Sequence, residues 1–221
     1  MATNIGQLKN GVPKITLVIG WLLVKTDALN WRLFVSKLEV IAGPMFAGKT
    51  EEMIRRIKRC VLALQHVQVF KPSMDFRYGV DRIISHGKTD LEVATGIKPV
   101  AIVEGERLSI HNNTKVVAFD EAQFFDKKWL LSVIEGLLKD DIRVICACLD
   151  QNTYGEPFGV TPELLALADE VTKLKAICVV CQGDANKTYR ERPYNDSKAV
   201  EIGGMGLYEP RCLKCWKPTQ K

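Results

Sequence analysis

From Leu38 onward, short unbroken apolar runs alternate with stretches of helical period. Leu-Glu-Val-Ile-Ala at 38–42 predicts a strand that ends in a glycine-containing loop. Between Thr50 and Leu64 the apolar residues Met53, Ile54, Ile57, Val61 and Leu64 recur at helical spacing, and the other face carries Arg55, Arg56, Lys58 and Arg59. Val67 to Phe70 predicts the next strand, closed by Pro72, and Val116 to Phe119 a buried strand leading into Asp120 and Glu121. An amphipathic helix over Trp129 to Leu138, a buried strand over Ile142 to Leu149 and a short helix over Pro162 to Ala168 complete the pattern. Strands alternating with helices predict parallel βαβ units, hence an α/β sheet with helices on its faces. After about Lys175 the helical period fades and glycines and cysteines take over, which marks a domain boundary. The expected division is an extension over 1–37 of unassigned role, a main domain over 38–174 and a small unit over 175–221. Internal repeats and low-complexity tracts are absent from the sequence.

Composition narrows the class. Apolar residues make up 47% of the 221, enough to bury a core, so disorder is not the default. The net charge of +5 suits a protein that handles a polyanion, and equally suits plain solubility. No long Lys/Arg block is present, so nucleic acid is not an expected partner. The run Ile15 to Val24 is too short to span a bilayer, which takes about 20 apolar residues. It has the length of a signal peptide but no small-x-small cleavage site follows it. An extra strand, an interfacial segment and an over-long start all remain open for it. The expected location is the cytoplasm, with no membrane partner.

Three motifs carry chemistry. Gly43-Pro44-Met45-Phe46-Ala47-Gly48-Lys49-Thr50 fits G-x-x-x-x-G-K-[ST] between a strand and a helix. Backbone N–H groups and the helix N-terminus there can hold phosphate oxygens. Lys49 reaches the β- and γ-phosphates, and the Thr50 hydroxyl can ligate Mg²⁺. The motif indicates a nucleoside triphosphate and is silent on the acceptor. Next, the strand end places Asp120 to hold Mg²⁺ and Glu121 to act as a base. A solvated acidic turn is the competing explanation. Last, of seven cysteines, Cys178/Cys181 and Cys212/Cys215 form two Cys-x-x-Cys pairs that suit a structural tetrahedral zinc site. Redox dithiols and an iron–sulfur cluster are the rivals. Cys146 and Cys148 lie in an apolar run and are expected in the core.

Taken together, these motifs resemble the type II thymidine kinases from about Leu38 to about Trp216. Further markers are Asp-Phe-Arg-Tyr (75–78), Ser-His-Gly (85–87), Asp-Glu-Ala-Gln-Phe-Phe (120–125), Leu-Asp-Gln (149–151), Pro-Phe-Gly (157–159) and Ile-Gly-Gly (202–204). The resemblance implies a P-loop, RecA-like parallel sheet with a C-terminal zinc-binding lasso that closes over the nucleoside. It implies transfer of the ATP γ-phosphate to the 5′-hydroxyl of thymidine, with deoxyuridine plausible, in nucleotide salvage. Glu121 matches the base, Phe124 an aromatic on thymine, and Thr188 a hydrogen-bonding residue on the lasso. Val200, Glu201, Ile202, Gly203 and Gly204 match backbone that reads thymine, and Tyr208 a tyrosine near the sugar. Met45 would lie beside the thymine, while Asp75, Arg77 and Gln123 fall with the nucleotide-binding positions. A homotetramer and feedback inhibition by thymidine triphosphate are also implied.

Some positions depart from the family pattern. Thr153 stands where an aromatic is usual, with Tyr154 next to it. Ala47 replaces a common Ser, Ala122 a common Gly, and Gly206 a common acid. These bear on affinity rather than reaction type. The rivals are a P-loop kinase with another acceptor and an ATP-dependent nucleic-acid protein of the RecA or helicase sort. The latter would call for basic stretches with interleaved aromatics, which the sequence lacks.

Overall fold

A computed structural model describes residues 36–75, 79, 82–103, 106–191 and 206–218. Its centre is a six-stranded sheet built from β1 (Leu38–Gly43), β2 (His66–Pro72), β3 (Val100–Ile102), β4 (Thr114–Phe119), β5 (Arg143–Leu149) and β6 (Glu170–Lys173). The order is β3-β2-β4-β5-β1-β6, and every pairing is parallel. The helices are α1 (Lys49–Leu62), α2 (Leu91–Thr95), α3 (Lys127–Lys139) and α4 (Thr161–Leu167).

Alternation along the strands explains why both faces are covered. Val40 and Ala42 of β1, Val117 and Phe119 of β4, and Val144, Cys146 and Cys148 of β5 pack with Leu130 and Ile134 of α3 and Leu164 of α4. The intervening Ile41, Val116, Ala118, Ile145 and Ala147 point the other way, onto Met53, Ile54 and Ile57 of α1 and Leu91 of α2. The expected α/β sheet with helices on both faces is therefore present, and Cys146 and Cys148 are core residues as expected. The foreseen elements shift by one or two residues at their ends. Two edge strands and α2 were not foreseen. β3 is apolar but spans only three residues, and β6 reads Glu-Val-Thr-Lys with mostly exposed side chains, so neither stands out as a strand. Among the described residues no helix is long and apolar enough to cross a membrane.

Beyond β6 the chain forms two small antiparallel pairs. One joins β7 (Ala176–Ile177) to β8 (Asp184–Ala185), the other β9 (Lys187–Arg190) to β10 (Tyr208–Arg211).

At the N-terminal end of β1, Glu39 is a buried carboxylate among cations. Its oxygens lie 2.6 Å from Arg56 of α1, 2.6 Å from Arg143 of β5 and 2.7 Å from Lys37. Burial pushes its pKa up, but hydrogen bonds from Arg143, Lys37 and Arg56 more than reverse this and bring it to about 2, from 4.5. A depressed folded-state pKa stabilises above the unfolded value and is lost as pH falls through the folded one. The pair of values corresponds to on the order of 3 kcal/mol. The urea midpoint should therefore fall as pH drops from 4.5 toward 2. Glu39→Gln, which leaves buried Arg56 and half-buried Arg143 without their carboxylate, should be less stable at pH 7, with the gap closing near pH 2. A gap constant with pH would mean that Glu39 does not couple to folding.

Candidate active site

The loop from Gly43 to Thr50 joins β1 to α1 at the C-terminal end of the sheet. Gly43 has φ +154°, and a Cβ there would lie 2.5 Å from the Leu174 carbonyl oxygen, so the loop begins where only glycine fits. The Leu174 N–H in turn donates to the Ala42 carbonyl at 2.8 Å, which ties the chain after β6 to the loop's base. Lys49 donates to the Pro44 carbonyl at 2.7 Å. Burial lowers the pKa of its ammonium; the carboxylates of Glu121, Asp120 and Asp150 pull the other way without cancelling it.

Asp120 and Glu121 follow β4. The Asp120 N–H donates to the Phe70 carbonyl of β2 at 2.9 Å, continuing the ladder one residue beyond the strand. Glu121 takes the left-handed conformation, φ 51°, and its N–H donates to Asp120 Oδ1 at 3.0 Å. A 3₁₀ turn over Ala122–Phe124 starts there. Buried Gln123 links two strand ends: its Nε2 donates to Glu121 Oε2 at 2.6 Å, and its Oε1 accepts from the Leu149 N–H of β5 at 2.9 Å. Gly159 (φ +54°) seats this turn, because a Cβ there would stand 2.1 Å from the Gln123 carbonyl oxygen.

A small cavity is lined by Thr50, Asp75, Arg82, Ile83, Ile84, His86, Asp120 and Glu121. The proposed magnesium residues, the proposed base and Asp75 thus meet at one point. Lys71 at the end of β2 shapes the adjoining loop by donating to the Gly79 and Arg82 carbonyls, each at 2.8 Å. Arg77 lies outside the described residues. Lys71, Arg82 and His86 had no role assigned from sequence. Only the Ser-His-Gly marker touched this wall, and nothing in local spacing places Lys71 there.

A hydroxyl joins the cysteine-bearing segment to the phosphate loop. Buried Thr188 of β9 accepts, through Oγ1, from the Met45 N–H at 3.1 Å. Met45, Leu149 and Tyr208 form a small apolar cluster with Phe46, Phe158 and Leu207. The Arg190 guanidinium lies 5.7 Å from the Tyr208 ring centre. Lys187 donates to Gln151 at 2.6 Å, and the Trp216 indole N–H donates to the Thr188 carbonyl at 3.2 Å. So residues distant in sequence, Met45, Thr188 and Tyr208, are neighbours. Phe124 is reached through Phe158, edge to face with centres 5.4 Å apart, and lines a cleft of about 190 Å³ with Met74, Val103 and Trp129. Thr153 is buried beside half-buried Tyr154. Val200, Glu201, Ile202, Gly203 and Gly204 lie outside the described residues.

The four sulfurs of Cys178, Cys181, Cys212 and Cys215 lie within 4.8 Å of one another, with Cys181 and Cys212 at 3.6 Å. A zinc ion bonded to four thiolates at about 2.3 Å requires sulfurs roughly 3.8 Å apart, so the donor set fits a candidate zinc site. The first pair lies in the loop that joins β7 to β8 and the second occupies the turn after β10, where the Cys215 N–H donates to the Cys212 carbonyl at 3.1 Å. Desolvation pushes the Cys178 thiol up, but amide N–H groups of Cys212, Cys181 and Val180 aimed at the sulfur bring it down, while hydrogen bonding to the neighbouring cysteines pushes Cys215 up. A lowered thiol favours the thiolate a metal needs. A family model described as thymidine kinase matches residues 36–216.

Proposed function

The chain belongs to the thymidine kinase family, and on that premise we propose that it moves the γ-phosphoryl group of ATP to the 5′-hydroxyl of thymidine, giving thymidine monophosphate and ADP. Family membership carries the coarser statement, phosphorylation of thymidine at the expense of ATP. The observation that supports the finer one is the cavity shared by Thr50, Asp120 and Glu121. Backbone N–H groups of residues 43–50, with Lys49, bind the phosphates. Thr50 and Asp120, with Asp75 nearby, offer the oxygen ligands that Mg²⁺ takes, and the ion when bound neutralises charge on the β- and γ-oxygens. Glu121 accepts the 5′-hydroxyl proton as the oxygen–phosphorus bond forms and the bond from phosphorus to the ADP oxygen breaks.

Thymidine then sits between Glu121 and the strand pair β9–β10. Met45 and Phe124 contact the thymine, Thr188 binds its edge, and Tyr208 lies at the sugar. Val200 to Gly204 supply backbone groups to the ring. Residues 38–174 serve as the ATP-binding part and 175–221 as a zinc-held lid. Deoxyuridine is a second acceptor, since it presents the same ring edge. Inhibition by thymidine triphosphate, a homotetramer and a cytoplasmic role in nucleotide salvage complete the proposal.

The test is ATP-dependent phosphorylation across a panel of nucleosides. Thymidine and deoxyuridine should exceed deoxycytidine by roughly 10²-fold or more in kcat/KM, because a polar edge-reading site rejects a ring with reversed donors and acceptors. Absence of thymidine turnover would overturn the reading.

A further inference from the structure

We propose that His86 binds the terminal phosphate of ATP, as an imidazole donor held in place by the phosphate loop and the first turn of α1. The inference rests on the kinase reading above and adds a phosphate ligand to it. His86 lines the cavity that holds Thr50, Asp120 and Glu121. If Thr50 and Asp120 face the metal-bridged phosphate oxygens and Glu121 faces the acceptor hydroxyl, the phosphoryl group in transfer lies between them. A side chain on that cavity's wall then faces its equatorial oxygens, where charge concentrates and donors have their effect.

The imidazole is fixed from two sides. Its ring packs on Phe46 of the phosphate loop, with centres 4.5 Å apart and planes tilted by 42°. Phe46 is itself committed, with φ +64°, to a conformation uncommon outside glycine. On the other side, the Gly87 N–H donates to Glu51 Oε1 of α1 at 2.9 Å. The turn that carries His86 is closed by Lys88 N–H to Ser85 carbonyl at 2.9 Å, Ser85 N–H to Thr89 carbonyl at 3.0 Å and Thr89 N–H to Ser85 Oγ at 3.1 Å. Burial pushes the Glu51 carboxyl up, but hydrogen bonds from Gly87 and Ser85, with the nearby His86, hold it below the usual glutamate value. Glu51 therefore stays an acceptor, and the turn stays anchored.

Chemistry also favours this role. Among the described residues, Asp75, Asp120 and Glu121 bring carboxylates to the cavity wall and Arg82 brings a guanidinium. Histidine donates from a ring nitrogen whether neutral or protonated. It can therefore meet a phosphate oxygen among these acids, as a third donor beside Lys49 and Arg82.

The test compares ADP with the non-hydrolysable β,γ-imido analogue of ATP, each titrated with Mg²⁺ into the full chain. His86→Phe keeps a ring against Phe46 and removes the donors. Affinity for the imido analogue should fall about tenfold or more, the scale of one hydrogen bond to a charged group, while ADP binding stays within about twofold. Retained ADP binding also reports a folded protein. His86→Gln, which restores a donor, should recover most of the loss. Unchanged binding of the analogue by His86→Phe, or equal loss of both nucleotides, would overturn the proposal. So would a loss in His86→Gln as large as in His86→Phe, since the ring and not the donor would then matter. Wild-type protein that bound neither nucleotide would remove the kinase reading, and this inference with it.

Discussion

Glu121→Gln should lower kcat by about 10³-fold, within the usual range for removing a general base, and leave ATP bound at least as tightly at pH 7. The exchange keeps size and one acceptor oxygen for the Gln123 amide, so the turn Ala122–Phe124 and that bond have no reason to move. What disappears is proton affinity at the acceptor oxygen. A negative charge also leaves the neighbourhood of the phosphates, which favours the bound polyanion. Lys49 supplies a second, independent signature. Glu121 is the largest of the charges that oppose desolvation of its ammonium. Without that carboxylate the pKa of Lys49 falls further below its ordinary value. A lowered lysine pKa means the charge is lost at lower pH, so ATP binding by the variant should fade at a lower pH than in the wild type. Single-turnover rates at pH 7 and nucleotide titrations up to pH 10 measure both effects. Turnover within tenfold of wild type would reject Glu121 as the base.

How far the sequence reached depends on where each element gets its stability. β1, β4 and β5 lie inside the sheet, covered on both faces, so most of their residues are apolar and stand out as runs. β6 borders only β1, buries little, and keeps the composition of a loop. The phosphate loop and the cysteine pairs were legible because their chemistry demands fixed local spacing. Lys71 and His86 were not legible as parts of the site, and Gln123 was placed there by resemblance alone. Each acts through partners in other elements: Gln123 through Leu149, Lys71 through the carbonyls of Gly79 and Arg82, and His86 through Phe46. Gly159 belongs with them. It is required by a carbonyl 36 residues earlier in the chain, a demand that the marker Pro-Phe-Gly records without explaining. Thr188 was placed near the nucleoside by resemblance alone; its bond to Met45 supplies a physical reason to look there.

Removing the metal, or replacing Cys212 by Ser, should weaken thymidine binding severely while sparing the phosphate loop. Among the described residues, the buried cluster beside the cysteines holds Ala176, Cys178 and Ala185, with Phe46, Ala47, Cys212 and Cys215 at its border. Such small side chains contribute little on burial, at about 25 cal/mol per Å². Structural zinc bound by cysteines contributes an apparent 10 to 16 kcal/mol, roughly, in small domains. The metal term therefore decides whether the β7–β8 hairpin and the turn after β10 stay together. The sheet, by contrast, stands on two large clusters that include none of these cysteines. Release of β9 and β10 withdraws Thr188 from the Met45 N–H and Tyr208 from Leu149, so the nucleoside side of the site opens. The loop's other restraints, Leu174 to Ala42 and Lys49 to Pro44, remain, and ADP affinity should change less than about threefold, below the usual net value of one hydrogen bond. The KM for thymidine should rise by about 10²-fold or more, with the lid's selectivity lost alongside. Zinc content, proteolysis of residues 176–218 against the sheet, and the two affinities give the answer together. A Cys212→Ser protein without zinc that kept wild-type thymidine KM would show that the cysteine cluster does not hold the lid.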